Sequence, residues 1–256
     1  MEQGVHNGVT AAGSALAPRR ADAGQVRATG RDIDGLAWCA EMYGAPYDLL
    51  AARLAVREDR LRAVVARWRK AGWADTGRLG PGPGWCWLTK AGLTVTGRGY
   101  APGVPALARL AHIRAVQAVR LSLEAGEAWR SGAAHWRSER AIRAAMSGRL
   151  PAGHVPDAEV SWPDVEGSRY PGERWAIEAE ITPKPLTRTA TIMAALLARD
   201  AGYHPDAPAH GRPRYQRVVY LCSPAARPVT VRAAGSLPPP LAARVTVRDL
   251  PEGALL

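Results

Sequence analysis

The chain has no phenylalanine and only three cysteines. Cys39, Cys86 and Cys222 lie far apart and lack the paired spacing of a zinc site, so we interpret them as buried, reduced thiols of a cytoplasmic protein. No apolar run of about 18 residues is present, which predicts that the chain has no membrane partner. The first residues also lack the charged, apolar and cleavable order of a signal peptide.

Two common catalytic signatures are missing as well. The sequence contains no phosphate-binding loop of the GxxxxGK[ST] form, so we expect no nucleotide cofactor. It contains no Gly-x-Ser-x-Gly elbow, which argues against a serine hydrolase. His204, Asp206 and His210 lie in a segment rich in proline and glycine without rigid spacing, and we do not interpret them as a metal site.

Length and charge limit the remaining classes. With 256 residues, 47% of them hydrophobic, the chain is long enough for one large or two small domains. Its net charge of +11 favours a polyanionic partner. Lysine and arginine exceed aspartate and glutamate by four in residues 31–100, by five in residues 101–150 and by only one in residues 151–256. The basic excess therefore precedes the last hundred residues.

Two short acidic segments stand out in the near-neutral part. In a strand, alternate side chains share a face, so Asp157 and Glu159 form one pair and Glu178 and Glu180 form another. Two neighbouring strands would gather these carboxylates into a cluster that repels itself unless a cation binds it. Oxygen ligands of this kind suit Mg²⁺ or Mn²⁺. The alternative is a solvated face of an antiparallel sheet, where alternating glutamates are common.

The order Pro156-Asp157, then Glu178-Ala179-Glu180, then Lys184 resembles the PD-(D/E)xK nuclease superfamily, which has a restriction-endonuclease-like fold. The resemblance implies that Asp157 and Glu178 bind the metal ion. Glu180 stands where the superfamily usually has its lysine, and it would complete the metal shell or orient water. Lys184, four residues further on, would stabilise charge on the transferred phosphoryl group.

The sequence of residues 33–98 predicts a structural unit separate from the one that holds the acidic segments. Helices are expected over 33–43, 47–54 and 57–71, followed by strands over 73–75 and 85–88, a Gly/Pro-rich loop over 77–84 and a last helix capped by Thr89. This order resembles the winged-helix family of DNA-binding domains, which also includes protein-interaction modules. The resemblance implies DNA contacts from the third helix and the wing, and the candidates are Arg57, Arg60, Arg67, Lys70 and Arg78. The alternative is a helix whose arginines are merely solvated.

A hinge is expected over residues 99–104, followed by a long amphipathic helix over 105–129 with Leu107, Leu110, Ile113, Val116, Val119 and Leu123 facing the core. His112 on this helix is interpreted as a structural residue. Further strands are predicted over 134–137, 217–222, 229–231 and 244–247, with helices over 186–201 and near Leu241. The order helix, three strands, helix, strand is that of a restriction-endonuclease-like core.

Taken together, these motifs and Tyr215-Gln216-Arg217-Val218-Val219-Tyr220 resemble the replication-relaxation family of plasmids and integrative elements. The expected fold class is α/β, α+β overall. A disordered tail over 1–30 would precede a winged helix-turn-helix over 31–101 and an αβββαβ nuclease-like domain over 102–256. The implied partner is double-stranded DNA, and homodimerisation stays open.

The resemblance leaves the activity open. One hypothesis is a DNA-binding protein that nicks or hydrolyses phosphodiesters with Mg²⁺ or Mn²⁺. The alternative is a non-catalytic regulator of plasmid or mobile-element replication or transfer, with a degenerate nuclease fold. A third is a protein-interaction adaptor.

Overall fold

The computed structural model describes residues 27–126, 129, 134–146, 154–164, 170–198 and 214–255. Within these residues the protein is a mixed α+β structure with one three-stranded and one five-stranded sheet. Most of the expected tail and the segment holding His204, Asp206 and His210 lie outside the described residues. None of the described helices is long and apolar enough to cross a membrane.

Helix α1, Gly30–Glu41, begins inside the segment that we expected to be a tail. It starts there because Thr29 and Asp32 form a reciprocal capping box, in which each side chain accepts the backbone N–H of the other residue. The buried Asp32 carboxylate also accepts hydrogen bonds from the Trp68 indole at 2.7 Å and from the Arg67 guanidinium. A single carboxylate therefore fixes the start of α1 and joins it to a later helix.

Helices α2, Tyr47–Arg53, and α3, Glu58–Lys70, follow with the predicted spacing. The predicted apolar stripe of α3 is confirmed, since Leu61, Val64, Val65 and Trp68 are all buried. Strands β1, Ala45–Pro46, β2, Ala74–Gly77, and β3, Trp85–Leu88, form an antiparallel sheet in the order β1-β3-β2. Strand β1 was not predicted, because a strand of two residues is too short to show a periodic pattern in the sequence.

Helix α4, Lys90–Val95, is capped by Thr89, whose hydroxyl accepts the Gly92 N–H at 3.1 Å and donates to the Gly72 carbonyl at 2.6 Å. Gly92 packs so closely on the chain that a Cβ there would lie 1.9 Å from the Trp73 carbonyl oxygen. Thr89 is therefore needed as the cap of α4. Gly92 is needed because the close backbone contact leaves no room for a side chain.

Helix α5, Leu110–Glu124, is shorter than the predicted helix over 105–129. A 3₁₀ turn, Leu107–Arg109, precedes it, and this turn leaves Leu107 67% exposed, so its assignment to the core was wrong. Ile113, Val116 and Val119 are buried as expected.

Helix α5 also buries two polar residues that the apolar pattern did not indicate. The Gln117 side chain accepts the Trp38 indole N–H at 2.9 Å and donates to the Gly44 carbonyl at 3.0 Å. The Arg114 guanidinium forms two hydrogen bonds to the Asp48 carboxylate. One core cluster contains Ala115 and Val116 of α5 together with residues of α1, α2 and α3, so packing continues across the expected hinge.

The five-stranded sheet has the order β4-β5-β6-β7-β8, and its first three strands are antiparallel and its last three parallel. The strands are β4, His135–Ser138, β5, Ala158–Ser161, β6, Arg174–Glu180, β7, Arg217–Cys222, and β8, Val245–Asp249. Helix α6, Glu139–Ala145, lies between β4 and β5, helix α7, Leu186–Leu197, between β6 and β7, and helices α8, Arg227–Gly235, and α9, Pro239–Ala242, between β7 and β8.

Both faces of this sheet are covered. Val119 of α5 packs with Ala158, Val160, Ile177 and Val219 on one face. On the other face, Ala176, Val218 and Tyr220 pack with residues of α7 and α8. The predicted strand over 229–231 was wrong, since these residues lie in α8. Pro228 occupies the first turn of that helix, where its fixed φ and missing N–H are tolerated, and this outweighs the short β-branched run.

We predict that Gly92→Ala destabilises the protein by about 2–4 kcal/mol, because the new methyl group would displace the backbone at Trp73. Thermal or urea unfolding measures this change. Gly99→Ala is the matched control, since a Cβ at Gly99 meets no atom within 4 Å. Equal stability of the two variants would contradict the tight packing of α4.

Candidate functional site

The acidic segments meet at one end of the β5–β6 ladder. The two strands are antiparallel, with Ala158 opposite Ile177 and Glu159 opposite Ala176. Asp157 immediately precedes β5, and its Oδ2 accepts the Ala179 N–H at 2.8 Å. This bond places the Asp157 carboxylate beside Glu178, the neighbour of Ala179 on β6. The expected convergence of Asp157 and Glu178 is therefore present.

Glu178 is buried, with a side chain 5% exposed. Burial, followed by the nearby negative charge of Asp157, raises the pKa of Glu178 to about 7. Its Oε1 lies 2.7 Å from His154 Nε2, and this bond moderates the effect. The Glu178 carboxyl group therefore binds its proton near neutral pH, next to the His154 imidazole.

Asp157 has an equivalent partner in His112, whose Nε2 lies 2.8 Å from Asp157 Oδ1. Burial disfavours the protonated imidazole of both histidines, but the hydrogen bonds and the charges of Asp157 and Glu178 outweigh it and raise the pKa of His112 and of His154. His112, interpreted from the sequence as a structural residue, thus contacts Asp157, one of the candidate site residues.

One weak signal pointed to His112. It lies on α5 next to the buried Ile113, at the end of the helix that covers the sheet. His154 lies three residues before Asp157, but nothing in the pattern assigned it a role.

Glu180 lies on the same face of β6 as Glu178 and is also buried. Its Oε2 forms an ion pair with Lys184 Nζ at 2.6 Å, so Lys184 does return to the acidic segment as expected. Tyr220 of β7 stands opposite Glu178 in the parallel register. Burial and then the charges of Glu178, Glu180 and Asp157 raise the pKa of Tyr220, which keeps its phenol neutral. We call Asp157, Glu178 and Glu180 the carboxylate cluster.

Glu159 was expected to join Asp157 in the acidic cluster, but its side chain contacts an arginine instead. It is buried two residues along the strand and forms an ion pair with Arg174 at 3.4 Å. The cluster therefore contains three carboxylates, not four.

A divalent cation is compatible with the donor set. No group of three or more His, Cys, Asp or Glu side chains among the described residues is placed to hold a metal ion. Mg²⁺, however, commonly binds through one or two carboxylates and takes its other ligands from water and phosphate oxygens. Asp157 and Glu178 provide such a pair, and a cation would relieve the repulsion that raises the pKa of Glu178.

The candidate DNA contacts lie on the solvent side of α3 and on the β2–β3 loop. Arg60 and Lys70 are exposed and form no ion pair within the described residues, and Arg78 is exposed on the loop. Arg57, at the N-cap, pairs with Asp59 at 3.2 Å. Arg67 pairs with the buried Asp32, so at least part of its role is structural. Arg60, Lys70 and Arg78 are therefore the three candidates free to meet a phosphate.

No protein-family model, no curated protein and no solved structure matches this chain.

We predict that, without divalent ions, the protein is more stable at about pH 5.5 than at about pH 8.5, through Glu178, His112 and His154. Each of these groups binds its proton more tightly in the folded chain than in the unfolded chain. Each contribution is full below the unfolded pKa of the group and is lost as the pH rises through its folded pKa, and for Glu178 the loss between pH 5.5 and 8.5 is roughly 2 kcal/mol. Thermal unfolding in EDTA measures this.

Glu178→Gln provides the control for this experiment, because an amide cannot titrate. Its melting temperature should depend less on pH than that of the unchanged protein. An identical pH profile for the two proteins would show that Glu178 has an ordinary pKa.

Proposed function

We propose that the chain is a DNA-binding protein of the replication-relaxation type, whose carboxylate cluster hydrolyses or nicks phosphodiesters with Mg²⁺ or Mn²⁺. The observation that carries this proposal is the meeting of Asp157 and Glu178 at the end of two adjacent strands. A buried acid with a raised pKa, Glu178, next to a second carboxylate is costly to the fold, which favours a functional over a structural origin.

The architecture supports the same assignment. Three helices, a three-stranded antiparallel sheet and a capped helix follow in the order that suggested a winged helix. Helix α5, strands β4, β5 and β6, helix α7 and strand β7 follow in the order expected for a nuclease-like αβββαβ core, with α6 as an additional helix. We therefore assign residues 31–101 to the winged helix and residues 102–256 to the nuclease-like domain.

The roles of the side chains follow from their contacts. Asp157 and Glu178 would hold the cation, which supplies Lewis acidity and lowers the pKa of water. His154 Nε2 shares a proton with Glu178 Oε1, so it can accept or return a proton at that atom. Lys184 Nζ neutralises Glu180 and presents a positive charge next to the acids, where a phosphoryl group would develop negative charge.

One observation favours the alternative, a non-catalytic DNA-binding regulator with a degenerate nuclease fold. Each acid of the carboxylate cluster already has a basic partner: His112 for Asp157, His154 for Glu178 and Lys184 for Glu180. The cluster is thus electrically compensated by the chain itself, and the fold does not require a cation. Glu180 in place of the usual lysine is in line with this alternative.

A nicking experiment separates the two functions. We expect the protein to convert supercoiled plasmid to the nicked form with Mg²⁺ or Mn²⁺, and we expect Asp157→Ala to lower the rate by about 100-fold or more, since the cation would lose a ligand. Gel electrophoresis measures the conversion. Glu159→Gln is the matched control, because Glu159 lies on the same strand outside the carboxylate cluster.

Plasmid that stays supercoiled with both metals, while Asp157→Ala and the unchanged protein bind DNA equally, would establish the regulator instead. Thermal unfolding of each variant shows whether the protein is folded.

Duplex binding is tested separately. We expect Arg60→Ala/Lys70→Ala to weaken duplex binding and to reduce the slope of log K against log salt by about 2, one for each lost phosphate contact. Fluorescence anisotropy with a labelled duplex measures both quantities.

Arg232→Ala/Arg248→Ala removes the same charge from exposed positions outside α3 and should leave the slope nearly unchanged. Duplex affinity that falls equally in both double variants would argue against α3 as the contact surface. A complete absence of duplex binding would favour the protein-interaction adaptor.

A further inference from the structure

A cleft of about 450 Å³ opens next to a smaller cavity that Asp157 lines. Its walls come from the end of α1, from the irregular segment 99–106, from the start of α5 and from α6. The wall residues include Tyr43, Tyr100, Val104 and Arg140. Its volume lies within the range of about 300–1,000 Å³ that is typical of small-ligand sites.

The cleft leads towards Asp157. A second, smaller cavity of about 20 Å³ is lined by His112, Glu139 and Asp157, and it shares Tyr43, Arg109 and Ile113 with the cleft. The same tyrosine and arginine therefore separate the open cleft from the acid that we propose as a metal ligand. A chain molecule lying in the cleft would have one end close to the carboxylate cluster.

Planar groups form much of the cleft wall. The Arg140 guanidinium stacks between two tyrosine rings, 4.8 Å from the centre of Tyr43 and 4.7 Å from the centre of Tyr100. Its N–H groups donate to the carbonyls of Ala40, at 2.7 Å, and Ala101, which fixes the stack between α1 and the linker. Half-exposed rings held in this way offer faces on which nucleobases can stack.

The charge of the cleft is positive. Within the described residues Arg140 forms no ion pair with a carboxylate. Arg109 and Arg143 both pair with Glu139, at 2.7 and 2.8 Å, so one acid is shared by two guanidiniums. Glu139 and Arg143 lie outside the cleft lining, so among the described residues Arg109 and Arg140 line the cleft and no carboxylate does, which favours an anionic ligand.

Two further features are in line with a ligand site. Tyr43 has a φ of +63°, a left-handed conformation that is costly for a bulky side chain and that places its ring between the two cavities. Val104 is 59% exposed at the rim of the cleft. An apolar rim, stacked rings and excess positive charge match an unpaired nucleotide better than a duplex, whose bases are not accessible for stacking.

We propose that this cleft binds an unpaired stretch of nucleic acid, with bases against the Tyr100 and Val104 wall and phosphates facing the Arg109 and Arg140 guanidiniums. The inference rests on the proposed function in one respect, since the cleft would present the strand to the carboxylate cluster. It differs from duplex binding by α3, which uses another surface.

Anisotropy of a fluorescein-labelled oligodeoxythymidine of about 12 nucleotides, in EDTA and at low salt, tests the proposal. The unchanged protein should bind it. Val104→Glu/Ala144→Glu places two negative charges on the cleft wall at exposed positions, and we expect its affinity for the single strand to fall by about tenfold or more. Its duplex affinity should change by less than about twofold.

Val231→Glu/Ala145→Glu is the matched control. It makes the same chemical change at two other exposed positions, one of them the next residue of α6, and neither lines the cleft. The control should bind the single strand like the unchanged protein. Thermal unfolding confirms that all three proteins are folded.

Failure of the unchanged protein to bind the oligonucleotide would overturn the proposal. An equal loss in the cleft variant and the control, or an equal loss of single-strand and duplex affinity in the cleft variant, would also overturn it. EDTA prevents cation-dependent hydrolysis during the binding measurement. Single-strand binding in EDTA, together with no nicking in the separate plasmid assay with Mg²⁺ or Mn²⁺, would leave the cleft assigned and refute only the nuclease. Plasmid nicking without single-strand binding would refute the cleft proposal and leave the nuclease assigned.

Discussion

The burial of Glu178 beside Asp157 is the constraint on which the rest of the site depends. Two carboxylates in a desolvated position repel each other, and the fold can keep them only if protons or cations compensate the charge. The chain does this with His112, His154 and Lys184, which come from α5, from the segment before β5 and from the segment after β6. The carboxylate cluster thereby draws three separate parts of the chain to one end of the sheet.

Helix α5 gives this arrangement its position relative to the first half of the chain. Its apolar face packs on the five-stranded sheet, while Gln117 and Arg114 hydrogen-bond to residues of the first half. Arg109, immediately before this helix, and His112, in its first turn, line the small cavity between the cleft and Asp157. The winged helix and the carboxylate cluster, if they act as proposed, would meet the same nucleic acid in a geometry that this shared helix fixes.

Much of the fold was predictable because its elements carry strong local signals. The apolar stripe of α3 and strand β7 have the expected limits to within a residue, since each has a clear period or a continuous apolar run. The failures lie where a local feature outweighs the pattern. A capping box starts α1 early, a 3₁₀ turn exposes Leu107, and Pro228 begins a helix over residues expected to form a strand. The same holds for the candidate site. Side-chain alternation along the strands predicted the acids of the carboxylate cluster, but it carried no information on His112 and His154.

The sequence by itself determined which faces of the strands are acidic, because side-chain alternation is a local property of extended backbone. It also determined the α3 stripe and the basic excess of the first 150 residues. Only the tertiary structure decided that Asp157 lies beside Glu178, that Glu159 does not join them, and that Tyr43 and Arg140 face a common cleft. These contacts join residues far apart in the chain, and strand pairing and helix packing, which have no local signature, bring them together.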